Sequence, residues 1–530
     1  MALTTSAGPA HKHNADLHHL GRGSTLKFAG AAVTTVMTFA LIIIVTRGYG
    51  QEKAGVFFAT TTLFLLIGQS AEIGSDQSLL RYIPALRATG RGGDVRALLW
   101  RVMRHVLIST GIVCVVTLAF APFIGRALSE SSDYQAVTTL IRVVVPFIPL
   151  IAITEVALAA TRGYQSMRPQ VLVYDITLPF LQAGMALAAH AAFGHGNTLA
   201  LVLAFVVPYV ITIIWAIRAL RRLVAKDADL APSEDPVVHD YWRFTVPRAA
   251  ARICQYALRR IDVVLVAVLA GPREAAVYTV VSRFITVGSV GVQAVQQVAQ
   301  PKLGELLELQ DRPRAQEIFR TSTIWLVVAS WPVFVIFGVY ATVVLHAMGR
   351  GYTHGATALI VLCAAQLIVV ATGPVDIGLV MTGRSGLSLT NQVAALFIDV
   401  VLCFALVPTY GVAGAAVAKA ISLLVNNLVA SVQVYRQQRL HPIGRGLAVA
   451  AIGCLVSIGG FTLGARLLFG QSLIGLSAGL ILGVAGYVAI CAHERESLRL
   501  DTLVTSLRGR RGPGGKHSGS QLSEPVAAEA

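Results

Sequence analysis

Fourteen runs of roughly twenty apolar residues recur along the chain, at about 25–46, 55–74, 102–124, 138–160, 171–193, 197–217, 245–270, 275–300, 321–346, 355–381, 386–407, 411–434, 446–469 and 472–492. A run of that length is what a helix needs to cross the ~30 Å hydrocarbon core of a bilayer. Inside lipid every backbone N–H and C=O must be satisfied internally, and a run without strand-like alternation does this as a helix. The pattern predicts an all-α polytopic membrane protein of about 14 transmembrane helices. Charged residues make up 13% of the 530, about half the ~25% of a soluble chain. That excludes an ordinary soluble enzyme and a disordered protein. The first 24 residues are polar and lack a signal-peptide cleavage pattern, so the first run is read as a retained anchor.

The net charge of +16 would suggest nucleic acid in a soluble chain. In a membrane protein the side on which the cations lie decides instead. With the N-terminus in the cytoplasm, 30 of the 43 basic residues fall inside, and outside fall only Arg47, Lys53, Arg126, Arg273, Arg350 and Arg466. This asymmetry predicts both termini in the cytoplasm of a bacterial inner membrane and no nucleic-acid partner. It also predicts that a cysteine at Gly271 labels from outside and one at Ser233 does not.

The chain resembles itself at an offset of about 221 residues: Gly50, Ala54, Val56 and Phe57 fall on Gly271, Ala275, Val277 and Tyr278, and Glu155 falls on Asp376. Six spans separate the copies, so both face the same way, and parallel repeats are a transporter architecture with the substrate site between them. The expected organisation is a cytoplasmic tail at 1–24, a six-helix bundle at 25–217, a cytoplasmic linker at 218–244, a second bundle at 245–434, an appended helix pair at 435–492 and a disordered cytoplasmic tail at 493–530.

The seventh run carries the chemistry. Arg248, Arg252, Gln255, Arg259 and Asp262 are spaced i, i+4, i+7, i+11 and i+14, which is one helix face. An arginine at mid-membrane costs about 2.5–3.5 kcal/mol on insertion scales. Arg259 is too deep to snorkel, so it calls for a wet cavity, an anionic ligand or an acidic partner such as Asp262 on its own face. Arg260 falls off that face and has no assigned place. Further polar stripes are Gln69, Glu72 and Asp76 in run two, Arg283, Gln293, Gln296, Gln297 and Gln300 in run eight, Asn391 and Asp399 in run eleven, and Lys419, Asn426 and Asn427 in run twelve. Together they predict a hydrated interior with a substrate-binding set of Arg248, Arg252 and Arg259. Around it stand Gln255, Asp262, Gln69, Glu72, Arg283, Gln293, Gln297 and Lys419. Glu155 and Asp376 are candidates for ion coupling.

The six cysteines sit in apolar runs without a CxxC pair, so neither zinc nor disulfides are expected. Four histidines crowd the N-terminal tail, at 11, 13, 18 and 19, and are read as solvated. The Gly-Gly-Lys-His of the C-terminal tail lacks the spacing and hydroxyl of a phosphate-binding loop. No catalytic residue, metal or cofactor is expected, and no ATPase motif is present.

Several turns resemble a known family. They are Gly23-Ser24, Arg47-Gly48-Tyr49-Gly50 leading to Ala54-Gly55-Val56-Phe57, Leu79-Leu80-Arg81-Tyr82, and Tyr410-Gly411-Val412-Ala413-Gly414-Ala415-Ala416. They are similar to those of the oligosaccharide flippases in the multidrug, oligosaccharidyl-lipid and polysaccharide exporter superfamily, over roughly 22–435. The resemblance implies two six-helix bundles around a central cleft, as in multidrug and toxin extrusion proteins. It implies translocation of a polyprenyl-diphosphate-linked sugar, in the bilayer and beside glycosyltransferases or a polymerase of the same pathway. The shared motifs are structural turns and transfer no site residue. Two rival readings are a drug–cation antiporter on the same fold, which a cationic stripe disfavours, and a scaffold for cell-wall enzymes, which has no use for deep charges.

Overall fold

The computed structural model describes residues 30–72, 74–129, 134–227, 238–381 and 385–498. The first half runs through α1 (Gly30–Gly48), α2 (Gln51–Ser70), α3 (Ser75–Ala88), α4 (Asp94–Ala127), α5 (Tyr134–Val144), α6 (Ile148–Gly163), α7 (Leu178–Phe193), α8 (Thr198–Val206) and α9 (Pro208–Val224). The second half comprises α10 (Val238–Glu308), α11 (Arg312–Val339), α12 (Ala341–His346), α13 (Ala356–Ala371), α14 (Val375–Met381) and α15 (Ser385–Gln438). The appended pair is α16 (Arg445–Cys454) continued by α17 (Gly460–Phe469), then α18 (Leu473–His493).

Among the described residues, 11 helical stretches are long and apolar enough to cross a membrane. Two of them are hairpins. α10 turns at Gly271 (φ 85°) and α15 at Gly411 (φ 53°), left-handed conformations that glycine reaches without a Cβ clash. Cross-limb bonds prove the reversal. Tyr278 Oη donates to Asp262 Oδ2 at 2.6 Å, Ser422 Oγ to the Ala395 carbonyl at 2.7 Å, and Asn391 Nδ2 to Gln433 Oε1 at 2.8 Å. Counting each hairpin as two passes and adding the 20-residue α2, the described chain makes the fourteen passes the sequence predicts. Run eight, despite Arg283 and its glutamines, is one helix from Pro272 to the end of α10.

Run two departs from its sequence limits. α2 ends at Ser70, the chain passes through Gly74 at φ 66°, and α3 restarts at Ser75. Glu72 therefore lies in a helix break and Asp76 in the first turn of the next helix. The end of the first bundle that carries the α3–α4 turn is sealed by Leu79 and Ile83 of α3 with Leu98 and Val102 of α4, Val156 of α6 and Leu220 of α9. There Arg87 Nε meets Asp227 Oδ2 at 3.1 Å, and its guanidinium lies 4.9 Å over the Tyr164 ring. Burial and the Asp227 carboxylate push the Tyr164 hydroxyl up from its ordinary value.

The α1–α2 turn and the Gly271 turn, counterparts in the two repeats, pack against each other. A Cβ on Gly55 would fall 1.7 Å from the Pro272 carbonyl oxygen, so no larger residue fits there without parting the seam. Arg273 Nη2 lies 3.4 Å from Glu52 Oε2, Arg47 Nη2 donates to the Ala347 carbonyl at 2.7 Å, and Gln51 Nε2 donates to that of Gly351 at 2.5 Å. Gly271 itself is buried and left-handed, so a cysteine there would be strained and hidden, which makes it a poor reporter of sidedness. Arg273, 68% exposed at its side chain, replaces it: a cysteine there is expected to label from outside. Ser233 lies outside the described residues. Labelling of Arg273→Cys from the cytoplasmic side alone would reverse the orientation.

The appended pair lies on α11. Arg466 Nη1 donates to the Val339 carbonyl at 2.9 Å, and Gly479 and Gly483 let α18 approach Thr462 and Ile458 closely, as small residues do between helices in lipid.

Candidate functional site

α10 packs against α2 and α3 of the first bundle. Arg252 makes a cross-bundle contact. It donates to Asp76 Oδ2 from Nη2 at 2.6 Å and from Nε at 3.2 Å, donates from Nη1 to Gln255 Oε1 at 3.3 Å, and lies 4.8 Å over the Tyr256 ring. Gln255 thus acts as a partner of Arg252. The side chain of Arg248 lies outside the described residues.

Arg259 is different. It lies twelve residues before Gly271, about 18 Å from that turn at 1.5 Å per residue, near the middle of the membrane. Its side chain is exposed and has no hydrogen bond or ion pair with any described residue. The groups that act on it are Arg252, Tyr256 and Arg260. Arg260 lies near Tyr174 and Tyr209 of the first bundle and near Arg283 of α10's second limb. Arg260 and Arg283 likewise have no hydrogen bond or close ion pair with a described residue, although the Asp262 carboxylate is near enough to act on Arg283. Three guanidiniums thus lie in sequence, with Arg260 close enough to act on both Arg259 and Arg283. Gln293, farther along the same limb as Arg283, is exposed; the Gln297 side chain lies outside the described residues.

The acids divide into two separate groups. Glu72 is 1% exposed, its Oε1 has no partner, and its charged neighbours are Glu155, Asp76, Arg252 and Arg162. Gln69 is buried beside that break with its own oxygen unpaired. Glu155 hydrogen-bonds with Tyr174. This group sits inside the first bundle, under the cavity wall. Asp376, the repeat counterpart of Glu155, does not share its setting: it is half-buried in the first turn of α14, without a hydrogen-bond or ion-pair partner among the described residues.

The second group lies in the core of the second bundle. Lys419 Nζ donates to Asp399 Oδ2 at 3.2 Å and to the Leu258 carbonyl, and lies 3.4 Å from Asp262 Oδ2. Asp262, engaged by Lys419 and the Tyr278 hydroxyl, does not pair with Arg259. The shared face seen in the sequence is real, but packing gives the carboxylate a partner 157 residues away. Asp262 and Lys419 are consequently packed residues of the bundle and not part of the cavity surface. Arg260 and Arg162 are functional candidates that helical-face reasoning passes over, because a cavity between two bundles reaches more than one face of a helix.

A hollow of about 1110 Å³ opens at the α1–α2 turn, lined by Gln51, Glu52, Lys53, Asn197, Thr198 and Arg273 among others. None of the α10 arginines deeper in the membrane borders it. The described residues hold no cluster of three or more His, Cys, Asp or Glu able to bind a metal.

Two helical bundles and an appended helix pair, with fourteen apolar passes, define an all-α multi-pass membrane protein. The chain belongs to the polysaccharide biosynthesis protein family, whose pattern matches residues 20–307. Among solved structures, a lipid II flippase MurJ in an inward closed conformation superposes with a TM-score of 0.71 at 11% identity, covering 89% of this chain and 99% of that one. An inward-facing multidrug resistance MATE transporter of the MOP superfamily follows at TM-score 0.60 and 16% identity, covering 77% and 95%. A MOP superfamily transporter from Pyrococcus furiosus, described as having a binding pocket of reversed polarity, gives 0.54 at 16% identity, covering 79% and 95%. At these identities the likeness is one of fold. No curated protein matches the chain.

Proposed function

We propose that the protein flips a polyprenyl-diphosphate-linked oligosaccharide, or a related polysaccharide precursor, from the inner to the outer leaflet of the bacterial cytoplasmic membrane. The observation that carries this reading is the set of unpaired guanidiniums of Arg259, Arg260 and Arg283 at mid-membrane. An isolated cation in low dielectric is costly, and a diphosphate that accepts charge-assisted, bidentate hydrogen bonds removes that cost. Arg252, held by Asp76, stands nearer the cytoplasmic entrance and contributes once the phosphate competes with that carboxylate. Arg248 lies one turn earlier on the same side of the helix. Exposed amides such as Gln293 supply hydrogen bonds to sugar, and the prenyl chain stays in lipid.

Export then needs no ATP. Moving negative charge out of a cell with a negative interior is favoured by about 2.3 kcal/mol per charge per 100 mV. Access alternates between inner and outer mouths as the two bundles rock, because a continuous polar path would leak ions. Glu155 and Asp376 remain the acids proposed for any ion coupling.

Ligand-induced stabilisation tests the reading. A polyprenyl diphosphate is expected to raise the melting temperature of the purified full chain in a saturable way, and a lipophilic quaternary ammonium is expected to leave it unchanged. Stabilisation by the cation and not by the diphosphate would make the protein a drug–cation antiporter instead.

A further inference from the structure

A buried ion cluster in the second bundle is centred on an ammonium. Three oxygens converge on Lys419 Nζ: Asp399 Oδ2 at 3.2 Å, Asp262 Oδ2 at 3.4 Å and the Leu258 carbonyl. The Lys419 side chain is 12% exposed and those of Asp262 and Asp399 are 5% and 0% exposed. The remaining carboxylate oxygens, Asp262 Oδ1 and Asp399 Oδ1, are buried with no hydrogen-bond partner. Two acids thus face one base, with oxygens to spare, in the interior of a membrane helix bundle.

We infer that this is a monovalent-cation site whose occupant is the chain's own ammonium, and that removing the ammonium opens the site to Na+. Two carboxylates and a main-chain carbonyl offer up to five oxygens around one point, with the Tyr278 hydroxyl already bonded to Asp262 at 2.6 Å. Hard cations take oxygen ligands of this kind. A divalent ion would call for six to eight ligands or retained water, and this dry, two-carboxylate site suits a single charge. The tether fixes the cation permanently. The second bundle of this chain therefore moves without picking up or releasing an ion here, and its stability does not depend on Na+ in the medium.

Melting temperature of the full-length protein, read in NaCl against choline chloride at equal ionic strength, tests this without reference to transport. The wild type is expected to melt at the same temperature in both salts. Lys419→Met is expected to melt several degrees lower in choline chloride and to recover with NaCl along a saturation curve, as a ligand that binds only the folded state must produce. The double variant K419Q/D399N keeps the net charge of the site and supplies two amide oxygens. It gives the same reading if Lys419→Met does not fold: a saturable rise with NaCl supports the inference, and its absence overturns it. Equal destabilisation of Lys419→Met in both salts, or Na+ dependence of the wild type itself, would also overturn it.

Discussion

Arg259→Ala is expected to abolish export of the lipid-linked sugar while leaving folded protein in the membrane. The two halves of that expectation have one cause. Arg259 makes no hydrogen bond or ion pair with any described residue, so its removal orphans no buried partner and relieves a desolvation cost. The substrate loses a charge-assisted bond of about 1.5–3 kcal/mol, roughly ten- to a hundredfold in affinity. The neighbours cannot compensate, because Arg252 is held at 2.6 Å by Asp76 and Arg283 comes from the facing limb. Arg259→Lys keeps the charge but loses the planar fork, and is expected to retain part of the activity. Export by Arg259→Ala at the wild-type rate would remove the diphosphate from this site. The contrast is Asp399→Ala, which leaves Lys419 buried with half its counter-charge; breaking such a pair costs about 3–5 kcal/mol and should reduce folded protein.

Locking either mouth is expected to stop transport outright. The outer seam joins Glu52 to Arg273 at 3.4 Å, and the inner one joins Thr245 Oγ1 to Ser78 Oγ at 2.8 Å. Each pair takes one residue from each bundle. Cysteines at Ser78 and Thr245 are placed to form a disulfide. Cysteines at Glu52 and Arg273 suit a short bifunctional thiol reagent. Either lock should abolish export, and reduction or cleavage of the linker should restore it. Undiminished transport with both seams closed would rule out rocking and put the path on the outer surface of the protein.

What the sequence discloses and what it hides follow from the range of the forces involved. Span number is legible because hydrocarbon thickness imposes a local length, and the hairpins at Gly271 and Gly411 are legible because a left-handed turn demands a local residue type. The face carrying Arg252, Gln255 and Arg259 is legible from helical spacing. The partners are not. Asp76 reaches Arg252 across 176 residues and Leu258 receives the Lys419 ammonium across 161, contacts that only the packing of bundles determines. The break after Ser70 misleads for another reason: the apolar run continues to Gly74, while the backbone leaves the helix and places Glu72 in the gap. The likeness of Glu155 to Asp376 is true of the repeat and misleading for the site, because only Glu155 has charged neighbours.

The central claim is that unpaired arginines between the bundles carry a lipid diphosphate across the membrane. Vesicles containing only the purified full chain, with a fluorescent polyprenyl-diphosphate sugar in the bilayer and no ATP, test it most directly. Exposure of the labelled sugar on the far leaflet should rise with wild-type protein, accelerate when the potential drives negative charge toward that leaflet, and fall to the protein-free rate with Arg259→Ala. Movement that is absent with wild type, or equally fast for the same lipid sugar lacking its diphosphate, would contradict the account.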